Sequence, residues 1–401
     1  MSTEPKNEET IITNAAAELD KTQYLTMKEE RRIAKENRQT IRELEKRKTH
    51  KDTRNPEYYK TTMRNPQNIV EFDNLHTHFF TDVGVVKAVN GVSFDVPQGS
   101  VVGVVGESGC GKSVTSLSLM RLVQAPLGQI VSGQIRYQAE GGVCYDLTKM
   151  PQSEMLNIRG KEVSMIFQEP MTSLNPIFTI GQQLDEVSLL HTEGATKASA
   201  KQRSLEMLEL VGIAMGETVY KNYPHELSGG MRQRVMIAMA LACNPKLIIA
   251  DEPTTALDVT IQAQILDLMR DIKTRINGSI MLITHDLGVI AEMADYVVVM
   301  YAGKIIETGT VREIFHSPKH PYTVGLMRSK PSVSTDTDRL YNIPGQVPNP
   351  INMPNHCYFH NRCEMRKGRC DGEYPPTYRF GSTHLAACYL YDEDKDADIF
   401  E

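Results

Sequence analysis

The chain has 401 residues, more than a single hydrophobic core usually supports, which predicts one large domain with appendages or two domains. Its composition, 40% hydrophobic and 23% charged, is that of an ordinary globular protein. No apolar run is long enough to cross a bilayer, and a formal net charge of −6 argues against general nucleic-acid binding, which needs a basic field to displace counterions from phosphates.

That charge is unevenly spread. Residues 1–66 carry fifteen Lys and Arg against twelve Asp and Glu, a net of +3, which leaves −9 for the remainder. Residues 1–67 read as a charged N-terminal extension. Within it Met27–Lys48 forms a helix pattern laced with opposite charges, suited to a solvated tail or to docking on a partner or on anionic lipid headgroups. No apolar stretch follows a basic one near the start, as a signal peptide would require, so the chain is expected to stay in the cytosol. There its seven cysteines would remain reduced.

Ile69–Phe79 and Ala88–Val96 alternate apolar and polar residues as half-buried strands do, and a turn follows at Pro97–Gly99. Val101–Val105 is unbroken in its apolar character, as are Leu247–Ala250, Ile280–Ile283 and Val297–Met300, which fits parallel strands covered on both faces. Helical patterns at Ser113–Val123 and Thr260–Ile276 separate them. The fold class is therefore α/β with a parallel centre, over residues 68–310. A Met-rich helical lobe is inserted at about residues 172–242. Beyond Gly309 Pro and His become frequent and periodicity fades, which predicts a second, irregular C-terminal domain over 311–401.

The strand Val101–Val105 runs into Gly106, Glu107, Ser108, Gly109, Cys110, Gly111, Lys112 and Ser113, with Val114 opening a helix. This is a phosphate-binding loop in its required strand-then-helix setting. The glycines let backbone N–H groups turn inward toward phosphate oxygens, and the helix adds its positive N-terminal end. Lys112 would reach the β- and γ-phosphates of ATP, and the Ser113 hydroxyl would ligate Mg²⁺. Hydrolysis further needs a magnesium-orienting carboxylate at a strand end and a base for water, which Asp251 and Glu252 supply.

Leu227-Ser-Gly-Gly-Met-Arg-Gln233, lying between that loop and the Asp-Glu pair, resembles the signature motif of the ABC ATPase family. The resemblance implies a P-loop NTPase core with an antiparallel β subdomain and a helical subdomain. It also implies two ATPase subunits facing head to tail, so that Ser228, Gly229, Gly230 and Gln233 serve the partner's nucleotide. The signature would open a helix at Arg232–Ala242. By the same resemblance Gln168 touches Mg²⁺ and the attacking water, Asp258 belongs to the loop between subunits, and His285 clasps the γ-phosphate. Adenine would stack on Phe79, with Phe80 as the other choice. Cys110 stands where Ser is frequent, and a small side chain suffices there.

A second resemblance covers about Gly309 to Cys388. Ser317-Pro-Lys-His-Pro-Tyr-Thr323, Ile343-Pro-Gly-Gln-Val-Pro348 and Cys357-Tyr-Phe-His-Asn-Arg-Cys363 look like the C-terminal region of oligopeptide and dipeptide importer ATPases, the D-type subunit above all. This implies a peripheral protein at the cytoplasmic face of the cell membrane. Its expected partners are an F-type ATPase, two transmembrane permease subunits and an extracellular or periplasmic peptide-binding protein. Nickel and other small-solute importers share the region. A soluble ABC ATPase acting on DNA or ribosomes is a distant alternative, because such proteins use duplicated domains or long coiled coils. Cys357, Cys363, Cys370 and Cys388 cluster here, and four thiolates suit zinc or an iron–sulfur centre, or remain free thiols. The family resemblance implies a [4Fe–4S] cluster on these four. It would act as a structural staple, since the segment is short of apolar periodicity and metal binding supplies folding energy that a small core lacks, with His356, His360 and His384 as solvated or hydrogen-bonded bystanders.

Overall fold

The computed structural model describes residues 25–48, 55–169, 173–255, 257–276, 278–329, 341–394 and 397–400. Residues 1–24 and 49–54 of the expected extension, Thr172 at the expected start of the helical lobe, and Ala256 before Asp258 lie outside the described residues.

Two sheets organise the described residues. Lys60–Thr61 (β1), Asn68–Thr81 (β2), Gly84–Pro97 (β3), Gly128–Gln138 (β5) and Cys144–Asp146 (β6) pair antiparallel in the order β1-β6-β5-β2-β3. The second sheet has nine strands. Val101–Val105 (β4), Val163–Ile166 (β7), Leu247–Asp251 (β8), Ser279–Thr284 (β9) and Tyr296–Tyr301 (β10) pair in parallel in the order β10-β4-β9-β8-β7. Every residue of β4, β7, β8 and β9 is buried, which is why their sequences run apolar without alternation.

The sheet continues past the parallel strands. Lys304–Thr310 (β11) turns back antiparallel on β10, and Thr377–Phe380 (β12), His384–Ala387 (β13) and Asp398–Ile399 (β14) extend it through Glu307↔Ala386 and Thr308↔Leu385. The region expected to form a separate irregular domain thus shares the central sheet. Its strands span two to four residues, too short for an alternation of polarity to declare itself.

Glu307 is the buried polar anchor of that junction. Its carboxylate accepts the backbone N–H groups of Lys319 at 2.6 Å and His320 at 2.9 Å, and faces His384 Nε2 at 2.8 Å. Burial holds His320 neutral by pushing its pKa down to about 4, and its Nδ1 accepts from Tyr322 N at 3.1 Å. Of the three histidines expected to be bystanders, His384 is therefore buried and hydrogen-bonded.

The helical lobe is present as Ile180–His191, Lys197–Leu210, Gly216–Lys221 and Gly229–Leu241. Two capping boxes, Thr179 with Gln182 and Thr196 with Ser199, start the first two helices. Ile180, Leu184, Leu208, Val235 and Met236 join its core to that of the parallel sheet.

Met27–Lys48 is a helix over its whole expected length, with Glu29 and Glu30 in the first turn and Lys46, Arg47 and Lys48 in the last, the polarity that the helix dipole favours. It packs on the antiparallel sheet of its own chain. Asn37 Nδ2 donates to Thr81 O at 2.7 Å, Gln129 Nε2 donates to Glu45 Oε1 at 2.7 Å, and Leu44 is buried.

Removing a buried carboxylate that serves three donors leaves each without a partner. Glu307→Ala is expected to lower the free energy of unfolding by about 3 kcal/mol, read from denaturant titration of the full chain.

Candidate functional site

The loop Gly106–Ser113 leaves β4 through glycines that no other residue could replace without displacing backbone. Gly106, at φ 153°, faces the carbonyl oxygen of Met300, and Gly111, at φ 102°, faces that of Ala88. A Cβ at either position would collide with the oxygen. The helix Lys112–Leu119 begins immediately after Gly111. It stops short of the expected Val123 because Arg121 adopts a left-handed backbone at φ 53° and donates to the carbonyls of Leu147, Thr148 and Met150.

Lys112 is buried, and its ammonium donates to Gly106 O at 2.8 Å and Glu107 O at 3.2 Å, spanning the mouth of the loop. Ser113 Oγ donates to Asp251 Oδ1 at 3.0 Å, so the two expected magnesium-site residues meet although 138 positions separate them. Burial pushes the Asp251 carboxyl up to about 6 against the pull of the Ser113 hydrogen bond. Ser108 and Gly109 are exposed, Val114 is half-buried, and Cys110 is buried with its thiol pKa raised by burial, the environment of an inert cysteine.

Glu252, the residue after β8, has φ 47°, a left-handed conformation that costs an ordinary side chain free energy. Its backbone N–H donates to Ile283 O at 2.8 Å, fixing it against the neighbouring strand. Three side chains converge on its carboxylate. Gln168 Nε2 donates at 2.9 Å, Thr255 Oγ1 donates at 2.9 Å, and His285 Nδ1 lies 3.3 Å away. Gln168 follows β7 and His285 follows β9, so the ends of adjacent parallel strands bring them to one point. Thr255 was not singled out from sequence, because a threonine shortly after an Asp-Glu pair carries no distinctive spacing.

Phe79 is half-buried near the end of β2 opposite Gly128, whereas Phe80 is buried. Of the two rings Phe79 is the more accessible. Ser228 caps the helix Gly229–Leu241, its Oγ accepting from Met231 N at 3.3 Å. That helix therefore starts three residues before the expected Arg232, its first turn disguised in the sequence by two glycines of low helix propensity. Ser228 and Gly229 are exposed and Gly230 is half-buried. Gln233 differs: it is buried and donates to Pro253 O at 2.6 Å, bracing the segment that holds Glu252. Asp258 is exposed and caps the helix Val259–Ile276 by accepting from Ile261 N at 3.0 Å.

Two residues beyond the parallel sheet also reach the phosphate loop. Arg362 forks onto Glu107, Nη1 to Oε2 at 2.6 Å and Nη2 to Oε1 at 2.9 Å, and Glu107 N donates to Tyr322 OH at 2.8 Å. Both sit in runs singled out by sequence, yet nothing in those runs points to a contact across 215 or 255 positions.

Residues 89–255 match the ABC transporter family, and residues 306–370 match the oligopeptide/dipeptide transporter, C-terminal region. The oligopeptide transport ATP-binding protein AppD of Bacillus subtilis (strain 168) is 51% identical over 326 residues, covering 81% of this chain and 98% of AppD. This chain belongs to the ABC transporter ATP-binding proteins. The dipeptide transport ATP-binding protein DppD of Lactococcus lactis subsp. cremoris (strain MG1363) is 48% identical over 326 residues, 81% of this ABC protein and 92% of DppD. A dimer of the ATP-binding cassette MJ0796, in a post-hydrolysis state bound to ADP and Pi, shares the fold. Its TM-score is 0.53 at 24% identity, over 61% of this chain and 99% of that one.

The four C-terminal cysteines of this ABC protein are free thiols, three of them buried. Burial pushes Cys357 up to about 11 and Cys388 up to about 12, and Cys388 is raised further by the other three, so all four lie within electrostatic reach of one another. Cys357 N donates to Cys370 O at 3.2 Å. Even so, among the described residues no three His, Cys, Asp or Glu side chains are drawn together closely enough to hold a metal ion. The expected metal-binding domain is therefore not supported by the geometry, although the donor set would suit a soft metal centre.

Proposed function

We propose that this chain binds ATP and Mg²⁺ at the Gly106–Ser113 loop and hydrolyses ATP to power the import of oligopeptides or dipeptides. The observation that carries the reading is the convergence of Gln168, Thr255 and His285 on Glu252, beside the Ser113–Asp251 pair. In it Lys112 leaves the loop carbonyls for the phosphates, Ser113 and Asp251 orient the magnesium ion and its water shell, and Glu252 takes the proton of the attacking water. Gln168 and His285 hold that carboxylate and report on the γ-phosphate, and Phe79 stacks on adenine. The peptide cargo rests on the names of AppD and DppD and on the match over residues 306–370.

Two such ATPases would close head to tail, Ser228, Gly229 and Gly230 of each meeting the nucleotide held by the other, with Asp258 between them. The helix behind Ser228 adds a favourable dipole for the γ-phosphate. Gln233 supports that surface from beneath. Among the described residues no helix is long and apolar enough to cross a membrane, so the reading requires permease subunits. A groove of about 360 Å³ between Phe167 and the helical lobe suits them, with exposed Phe167 and Leu190 in its lining. A second, F-type ATPase, a peptide-binding protein outside the cell, and a place at the cytoplasmic face of the membrane complete the assembly.

Residues 1–67 would form the charged extension, 68–310 the ATPase domain with its lobe at about 172–242, and 311–401 the oligopeptide-transporter C-terminal region. For the last of these Cys357, Cys363, Cys370 and Cys388 offer the donor type that a [4Fe–4S] cluster takes, and the four thiols would have to draw together to hold it. Bound there it would staple a region of short strands, its ligation displacing the four thiol protons.

Glu252→Gln in the assembled transporter is expected to keep MgATP binding while ATP turnover falls by about 10²–10⁴, as for loss of a positioned base, and peptide uptake stops. Undiminished turnover would remove Glu252 from the mechanism. For the cysteines, protein purified without oxygen is expected to be coloured and to contain iron and acid-labile sulfide. A colourless, iron-free and stably folded chain would dispose of the cluster.

A further inference from the structure

Glu107 poses an electrostatic problem. It is the second residue of a loop that would gather a triphosphate, and a carboxylate there repels the ligand more strongly than it would in open water. The Lys112 ammonium donates to the Glu107 backbone carbonyl at 3.2 Å, which keeps this residue's backbone at the mouth of the loop. We propose that Arg362 is a positioning residue of the nucleotide site, which grips the Glu107 carboxylate and cancels its charge so that the loop accepts a polyanion.

Arg362 is held in place to meet this carboxylate. Its side chain is 5% exposed, and Glu107 keeps 28%. Both ends of the guanidinium fork onto the carboxylate, the planar geometry in which arginine surpasses lysine. Nε donates to Pro344 O at 2.9 Å, and Nη1 also lies 3.3 Å from Tyr301 OH. The rings of Tyr301 and Phe359 flank it at 5.8 and 5.9 Å. Gly345, at φ 75°, admits its stem, since a Cβ there would stand 3.3 Å from Arg362 Cγ. From the other side the buried Tyr322 takes the Glu107 N–H, which turns that donor away from the phosphate cradle. Tyr322 and Arg362 both fall within residues 306–370, so the region that sets this chain apart from a bare ATP-binding cassette is joined to its phosphate loop.

A tie that merely fastens the C-terminal region would make the two partners behave alike, each substitution loosening the site. Charge cancellation makes them behave oppositely. Without Arg362 the bare carboxylate opposes the nucleotide; without the Glu107 charge the guanidinium adds attraction. The inference rests on the phosphate loop taking MgATP, and that reading fails separately, if the unaltered chain binds no nucleotide.

The test is equilibrium binding of a fluorescent ATP analogue with Mg²⁺ to the full-length chain, with thermal unfolding followed in parallel. Arg362→Ala is expected to weaken binding about tenfold, within the range common for coupled sites, and Glu107→Gln to tighten it about threefold. The double substitution should return affinity to near that of the unaltered chain, and Arg362→Lys, which keeps the charge, should fall short of it only slightly. ADP should respond less than ATP, having one fewer charge. Weakening by both single substitutions, with no recovery in the double, would overturn the proposal. Should Arg362→Ala fail to fold, Glu107→Gln decides alone: tighter binding supports charge cancellation, and unchanged or weaker binding refutes it.

Discussion

The site depends on how closely a glycine loop is pressed against carbonyl oxygens of its own protein. Gly106 meets Met300 O on β10, and Gly111 meets Ala88 O on β3. One belongs to the parallel sheet and the other to the antiparallel one, so the loop is shaped by both sheets together. Because neither glycine can acquire a Cβ, the path from β4 into the helix Lys112–Leu119 is set. That path delivers Ser113 to Asp251 across the parallel sheet.

A second organising point is the end of β8. Buried Asp251 faces the loop, while Glu252, held left-handed, turns toward the ends of β7 and β9. A strained backbone persists only if its surroundings over-determine it, and here Ile283 O, Gln168, Thr255 and Gln233 through Pro253 supply the restraint. In the proposed cycle this arrangement gives the nucleotide leverage. ATP held by two facing surfaces favours the closed dimer, since a ligand shifts an equilibrium only through differential affinity, and hydrolysis removes that preference.

What could be read from sequence follows the range over which conformation is decided. The phosphate loop, Asp251–Glu252 and the strands Val101–Val105 and Ile280–Ile283 are read from local patterns; the two strands are buried along their whole length, and Ser113 meets Asp251. The short strands Thr377–Phe380 and His384–Ala387 owe their conformation to an edge that β11 offers, which no local pattern announces. Gln233 looked like a surface residue because it follows Ser-Gly-Gly, yet helical geometry rotates it inward onto Pro253 O. The grip of Arg362 on Glu107 was beyond reach for the same reason as the Tyr322 contact: both are made by tertiary packing over more than two hundred positions.

The whole account requires that the Lys112 ammonium, now satisfied by Gly106 O and Glu107 O, be available to a triphosphate. Equilibrium binding of MgATP to Lys112→Ala tests this most directly. Affinity is expected to collapse while the thermal unfolding transition stays in place; affinity equal to that of the unaltered chain would contradict the account.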